Sequence, residues 1–194
     1  MRFALRVLCF LLSRFRRIFY RLISDKCVSG KYAGLSPVLA CGRGKITFGT
    51  GVSIGIKEDA GFWNTYAFLN VRKEDSSITF GANTLIGNQF TVVSEGPGIE
   101  IGQDVLIGTG VSICDSDFHA IPVKERLHGV PKKGRVVIGN SVWIGDRVLI
   151  LKGSEIGEGC VVAAGAVVSG KFPPDVLIGG VPAKIIRTLP ENRT

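Results

Sequence analysis

Aromatic side chains are scarce in this chain, 8% of 194 residues, and there is a single methionine. A core must therefore be assembled from small aliphatic groups, which suits many short strands and tight turns. Only two histidines are present, His119 and His128, nine residues apart, which argues against a three-histidine zinc site. The five cysteines, Cys9, Cys27, Cys41, Cys114 and Cys160, are odd in number and contain no CxxC pair. That argues against a disulfide framework or a zinc cage and points to a reducing compartment. Long apolar runs are missing too. The charge-free stretch Val7 to Ser13 is far short of the roughly 20 residues needed to span a bilayer, and no small-residue cleavage site follows it, so neither a spanning helix nor a secretory signal is expected.

Acidic residues are almost absent from one region. Residues 1–31 carry eight basic groups against Asp25 alone, a net +7, whereas the remaining 163 residues carry 16 basic and 15 acidic groups. The overall charge of +8 thus belongs to an amino-terminal arm, and the body is nearly neutral. Helical periodicity over residues 3–23 lines up Val7, Leu8, Leu11, Leu12, Phe15, Ile18, Phe19, Leu22 and Ile23, with Arg6, Arg14, Arg17 and Arg21 at the flanks or opposite face. Two readings of this basic amphipathic helix stand side by side. It lies on an anionic membrane surface through residues 1–24, or it packs its apolar stripe on the main domain or a neighbouring subunit. No groove-reading motif accompanies it, so nucleic acid is not an expected partner. The division expected is an arm over 1–31 and one domain over 32–194.

That domain has an internal period of six. Ile138, Ile144, Ile150, Ile156, Val162 and Val168 recur at that interval and are followed by Gly139, Gly145, Leu151, Gly157, Ala163 and Ser169. Phe48-Gly49, Ile54-Gly55, Phe80-Gly81, Ile86-Gly87, Ile101-Gly102 and Ile107-Gly108 repeat the phrase earlier. A helix would need apolar residues three and four apart; a six-residue interval instead predicts short strands, each turning one aliphatic side chain inward and closing with a small residue. One coil cannot bury its own inner face, so several must stack as an all-β solenoid.

The period breaks once. Ile113 and Ile138 lie 25 residues apart, not a multiple of six, which predicts a protruding loop at about 114–137. It is rich in charged and hydrogen-bonding groups and holds both histidines. Imidazole is suited to take up a proton near neutral pH, which makes a loop histidine a candidate general base. A carboxylate, Asp117 or Asp115, is placed to orient His119; His128 reads as an ordinary loop residue.

The hexad resembles the Leu/Ile/Val-Gly signature of the hexapeptide-repeat acyltransferases, over residues 46–187. The closing phrases Val-Val-Ser-Gly-Lys-Phe-Pro-Pro (167–174) and Gly-Gly-Val-Pro-Ala-Lys-Ile-Ile-Arg (179–187) resemble the sugar O-acetyltransferase branch, including galactoside and maltose acetyltransferases and capsule or lipopolysaccharide-modifying enzymes. The resemblance implies a left-handed parallel β-helix, although general crossover rules give the opposite hand. It implies acetyl-CoA as donor, no required metal, a carbohydrate acceptor, a homotrimer and a cytoplasmic location, at the inner face of the membrane if the arm binds there. Asp-Ser-Asp-Phe-His (115–119) matches the position of the family's catalytic histidine, His119. An Asn one coil earlier would position acceptor or intermediate; Asn88 is the choice, with Asn83 nearby. Trp143, Asp146, Ala163, Ala164, Gly165 and Ser169 would line the pantetheine arm, and Lys171, Lys184 and Arg187 would meet phosphates. One departure is that Ser169-Gly170 stands where the family often has Thr-Lys, with the lysine displaced to Lys171. An N-acetyltransferase acting on an amino-sugar nucleotide is the alternative, since the same base and thioester site suit an amine.

Overall fold

The computed structural model describes residues 2–25 and 27–190, with side chains from Leu8 onward. Helix α1 (Arg2–Leu22) comes first, and no helix among the described residues is long and apolar enough to cross a membrane. The chain then winds in three-strand coils. The first holds β1 (Val28–Ser29), β2 (Ala33–Gly34) and β3 (Val38–Gly42), and the second β4 (Lys45–Phe48), β5 (Ser53–Ile54) and β6 (Ala67–Val71). The third holds β7 (Ser77–Phe80), β8 (Leu85–Ile86) and β9 (Thr91–Ser94), and the fourth β10 (Ile99–Ile101), β11 (Leu106–Ile107) and β12 (Ser112–Cys114). The fifth is β13 (Val136–Ile138), β14 (Trp143–Ile144) and β15 (Leu149–Ile150); the sixth is β16 (Glu155–Ile156), β17 (Val161–Val162) and β18 (Val167–Val168). β19 (Lys171–Phe172) and β20 (Val176–Gly180) begin a further turn, and β21 (Ala183–Thr188) folds back on β20 as the one antiparallel strand pair among the described strands.

Strands in the same place on successive coils pair in parallel, giving sheet A from β1 to β19, sheet B from β2 to β20 with β21 at its edge, and sheet C from β3 to β18. The inward aliphatics stack in register: Ile46, Ile78, Ile99 and Val136 form one column of sheet A, and all are fully buried. Each such side chain contributes about 1.5–3 kcal/mol on burial. The buried aromatics lie low in the solenoid, where Phe48 and Phe80 stack at 4.9 Å and Phe80 meets Phe90 edge-on at 6.1 Å.

Where glycine follows the inward residue, the cause is steric. A Cβ on Gly145 would stand 2.7 Å from the Ala164 backbone nitrogen of the next coil. The third residue after each inward aliphatic makes the corner in a left-handed conformation, as at Asn83, Asp104 and Ser141 (φ 57°, 56° and 55°). Cys160 lies fully inside, and burial pushes its thiol up, as it does that of the partly buried Cys114, so both behave as small core groups rather than nucleophiles.

Two features differ from the spacing of the hexads. The first coil begins at Val28, ahead of any six-residue period, and a second excursion, residues 55–66, separates β5 from β6. Helix α1 also docks on the body with its polar side, not with the apolar stripe; Arg16 donates to the carbonyls of Phe62, Trp63 and Thr65 at the end of that excursion.

Candidate active site

The long loop leaves sheet C at Cys114 and rejoins sheet A at Val136. Its root is a carboxylate inside the protein. Asp115, with no exposure, accepts hydrogen bonds from the Ser94 hydroxyl (2.7 Å), the Glu95 N–H (2.8 Å) and the Gly98 N–H (2.9 Å). The limbs are joined where the Asp117 N–H donates to the Lys132 carbonyl at 3.0 Å and the Gly134 N–H to the Asp115 carbonyl at 2.9 Å. Asp117 Oδ1 pairs with Lys152 Nζ of the next coil at 2.7 Å.

Phe118 then takes a left-handed conformation, φ 60°, which costs a non-glycine residue about 1–2 kcal/mol. The Phe118 N–H donates to the Ser116 hydroxyl at 3.0 Å, and the Arg72 guanidinium lies over the Phe118 ring, 4.5 Å from its centroid. This reversal presents His119 at the surface, where Asp117, His119, Ala120, Ile121, Arg126 and Leu127 line an open hollow of about 550 Å³. Arg72 is accordingly a positioning residue. Arg72→Ala is expected to lower turnover roughly two- to fivefold, matching a cation–π contribution of about 0.5–1 kcal/mol, with KM for acetyl-CoA unchanged and Arg72→Lys partly restoring the rate. Steady-state kinetics on the three proteins would decide it.

His119 is held by a group that residue types do not reveal. Its Nδ1 lies 3.1 Å from the Arg126 carbonyl oxygen. No hydrogen bond joins the imidazole to Asp117 or Asp115, the expected orienting carboxylates: Asp115 accepts three donors at the loop root and Asp117 Oδ1 pairs with Lys152, while Asp117 Oδ2 is buried with no hydrogen-bond partner. Asn88 likewise has other work. It is 1% exposed, its Oδ1 accepts from the Ser36 hydroxyl (2.7 Å) and the Ile56 N–H (3.1 Å), and its Nδ2 donates to the Ile56 carbonyl at 2.7 Å and the Ala60 carbonyl at 3.2 Å. With both ends of the amide engaged, Asn88 pins the 55–66 excursion instead of facing an acceptor. Asn83 is a corner residue whose Nδ2 donates to Asp104 Oδ1 at 3.0 Å.

The expected donor-site residues fall into groups. Trp143, Asp146, Ala163 and Ala164 come together around a hollow of about 360 Å³ on sheet B and its corner with sheet C, joined by Gly145, Val161 and Val162, which were not among the expected donor-site residues. Trp143 is 55% exposed there, in register with Leu106 and Val161, and offers a flat apolar wall. Asp146 Oδ1 accepts from the Thr109 N–H at 2.9 Å, and the Gly165 N–H donates to the Asp146 carbonyl at 2.8 Å. Lys184 and Arg187 are exposed on β21, along the edge of the same sheet. Ser169 is on the turn between sheets C and A, and Lys171 is on sheet A in an ion pair with Glu155 at 2.7 Å. In a three-sided solenoid the corner between C and A is opposite sheet B. The His119 loop leaves from that corner, so one chain sets the root of that loop and the sheet B hollow on opposite sides.

A family model described as bacterial transferase hexapeptide (six repeats) matches residues 135–170. WbbJ of Escherichia coli (strain K12), provisionally named a lipopolysaccharide biosynthesis O-acetyl transferase, is 32% identical over 144 residues, covering 59% of this chain and 74% of that protein. The chain belongs to the hexapeptide-repeat acetyltransferase family. Its solenoid is that family's left-handed parallel β-helix. Galactoside O-acetyltransferase of the same organism is 34% identical over 117 residues, 57% of each chain. A hexapeptide-repeat-containing acetyltransferase of Vibrio cholerae, solved in complex with acetyl-coenzyme A, superposes with a TM-score of 0.55 at 27% identity over 97% of this chain and 88% of that one. This member of the family spans 44–60% of the length of the first curated relatives it matches. The matched stretch 135–170 begins after the loop, so the repeat marks the wall that bears Trp143 and does not include His119.

Proposed function

We propose that this protein moves an acetyl group from acetyl-CoA to a hydroxyl of a sugar or surface-polysaccharide precursor, with His119 as general base. The observation that carries the reading is the direction of the imidazole. A carbonyl oxygen can only accept, so Nδ1 facing the Arg126 carbonyl carries the ring hydrogen, and Nε2 keeps a lone pair. Nε2 takes the acceptor's hydroxyl proton as the oxygen attacks the thioester carbonyl. Collapse of the tetrahedral intermediate breaks the C–S bond, and the imidazolium returns the proton to the departing thiolate, leaving an acetyl ester and CoA.

Supporting this are family membership and the hollow beside Trp143, which suits a pantetheine arm, with Lys184 and Arg187 near it for phosphates. Lys171 would first have to exchange Glu155 for phosphate. Because the root of the His119 loop and the hollow are on opposite sides of the solenoid, the working site forms between chains: a homotrimer lets the loop of one copy face the sheet B wall of its neighbour. The protein works in the cytoplasm, with residues 1–24 against the inner face of the membrane.

The test is thiol release from acetyl-CoA with a panel of glycan hydroxyl acceptors alongside amino-sugar nucleotides. Release with hydroxyl acceptors is the expected result; release with the amino-sugar nucleotides alone would replace the O-transfer reading by N-transfer.

A further inference from the structure

Helix α1 is mounted inside out. Arg16 grips the carbonyls of Phe62, Trp63 and Thr65, the last from Nη2 at 2.6 Å; Arg17 Nη1 donates to the Gly34 carbonyl at 2.9 Å; Tyr20 packs on Tyr66 at 4.8 Å. Ser24 accepts from the Ala40 N–H at 3.0 Å and fixes the helix end. At about 100° per residue, Arg16, Tyr20, Ser13 and Arg17 share one side of the helix. Leu8, Leu11, Leu12, Phe15, Ile18, Phe19 and Leu22 share the other, and each is between 47% and 78% exposed. A helix stabilised by its own core turns such a stripe inward; here the stripe faces away from the solenoid.

Charge identifies what covers it. Arg14 and Arg21 are exposed along one border of the stripe, and the single carboxylate of residues 1–31, Asp25, accepts the Gly42 N–H at 2.7 Å. A second copy meeting this one arm to arm would set arginine border against arginine border. An anionic bilayer satisfies both halves, with the apolar stripe at the acyl boundary and guanidinium groups at lipid phosphates. Trp63, 49% exposed on the loop that Arg16 grips, adds an aromatic ring suited to that boundary.

We propose that the Leu8–Leu22 face of α1, bordered by Arg14 and Arg21, is a membrane-interfacial surface for anionic lipid. This deepens the membrane part of the proposed function and does not depend on the transfer chemistry. The arm is clamped rather than tethered, since Asn88 pins the excursion that Arg16 holds. The bilayer therefore orients the whole solenoid. The His119 loop leaves two coils beyond that excursion, on the order of 10 Å further along the axis at ordinary strand spacing, which brings a membrane-anchored glycan within reach.

The experiment is co-sedimentation of the full chain with phosphatidylcholine vesicles, with and without phosphatidylglycerol. Binding to the anionic vesicles that weakens with salt is expected. Leu11→Glu with Phe15→Glu and Ile18→Glu should weaken it at least tenfold, at unchanged thermal unfolding and unchanged transfer to a water-soluble acceptor. Arg14→Glu with Arg21→Glu should abolish the anionic preference. Absence of vesicle binding, or binding that the stripe variant leaves intact, overturns the proposal. So does a stripe variant that breaks an oligomer, since a second copy would then be the occupant. Vesicle binding by a protein that transfers no acetyl group would sink the enzymatic reading and leave this surface standing.

Discussion

His119→Ala is expected to lower acetyl transfer by about 10²–10⁴-fold, the usual contribution of a positioned general base. The loss should appear in kcat. KM for acetyl-CoA should hold, because the hollow beside Trp143 is built from sheet B and shares no residue with the one around His119. The fold should be indifferent to the change. His119 is exposed and its ring makes one hydrogen bond to the protein, to a carbonyl that water can satisfy, so thermal unfolding should move little. Residual transfer would come from holding donor and acceptor together. Turnover equal to the parent's would remove the base from this position.

Asp115→Ala is expected to act in the opposite way, on stability before chemistry. The carboxylate is out of contact with solvent, and its removal strands the Glu95 and Gly98 N–H groups and the Ser94 hydroxyl in a buried site. Each stranded donor costs about 1–3 kcal/mol, so a total loss of at least about 3 kcal/mol follows. For a chain of this size that lowers Tm by roughly 6–12 °C, readable by thermal unfolding. Asp115→Asn should lose less: the amide oxygen still accepts from one N–H and Ser94 can rotate to meet the new NH₂, leaving the Gly98 N–H as the main casualty. Equal stability of all three proteins would mean the loop root is not held as described.

The ladder from Ile138 to Val168 was legible because its inward aliphatics repeat at a fixed interval, and the glycines that follow Ile138, Ile144 and Ile156 answer a steric demand from the next coil. The first coil was not. Val38, Ala40 and Cys27 are buried there without any hexad, because α1 and the second coil supply the packing that the repeat supplies elsewhere. His119 was visible as a residue type in an interruption, but its partner is a backbone carbonyl, and any side chain at position 126 would provide the same atom. Asn88 misled for a related reason. An Asn at a hexad corner offers the same letter whether it faces substrate or grips a loop 28–32 residues away in sequence. The arm was recognisable as amphipathic, but its sequence left open whether the stripe meets a membrane or packs on the body or a neighbouring subunit. Three carbonyls converging on Arg16 turn the stripe away from its own solenoid, and a carbonyl cluster leaves no mark on composition.

The antiparallel strand β21 has a consequence for growth. A solenoid whose every sheet ended on a parallel strand could accept the first coil of another copy and polymerise end to end. Along sheet B, β21 runs against the direction that such a coil would need, with Lys184 and Arg187 on that rim. That rim is therefore a mismatched template for the parallel coil of a second copy.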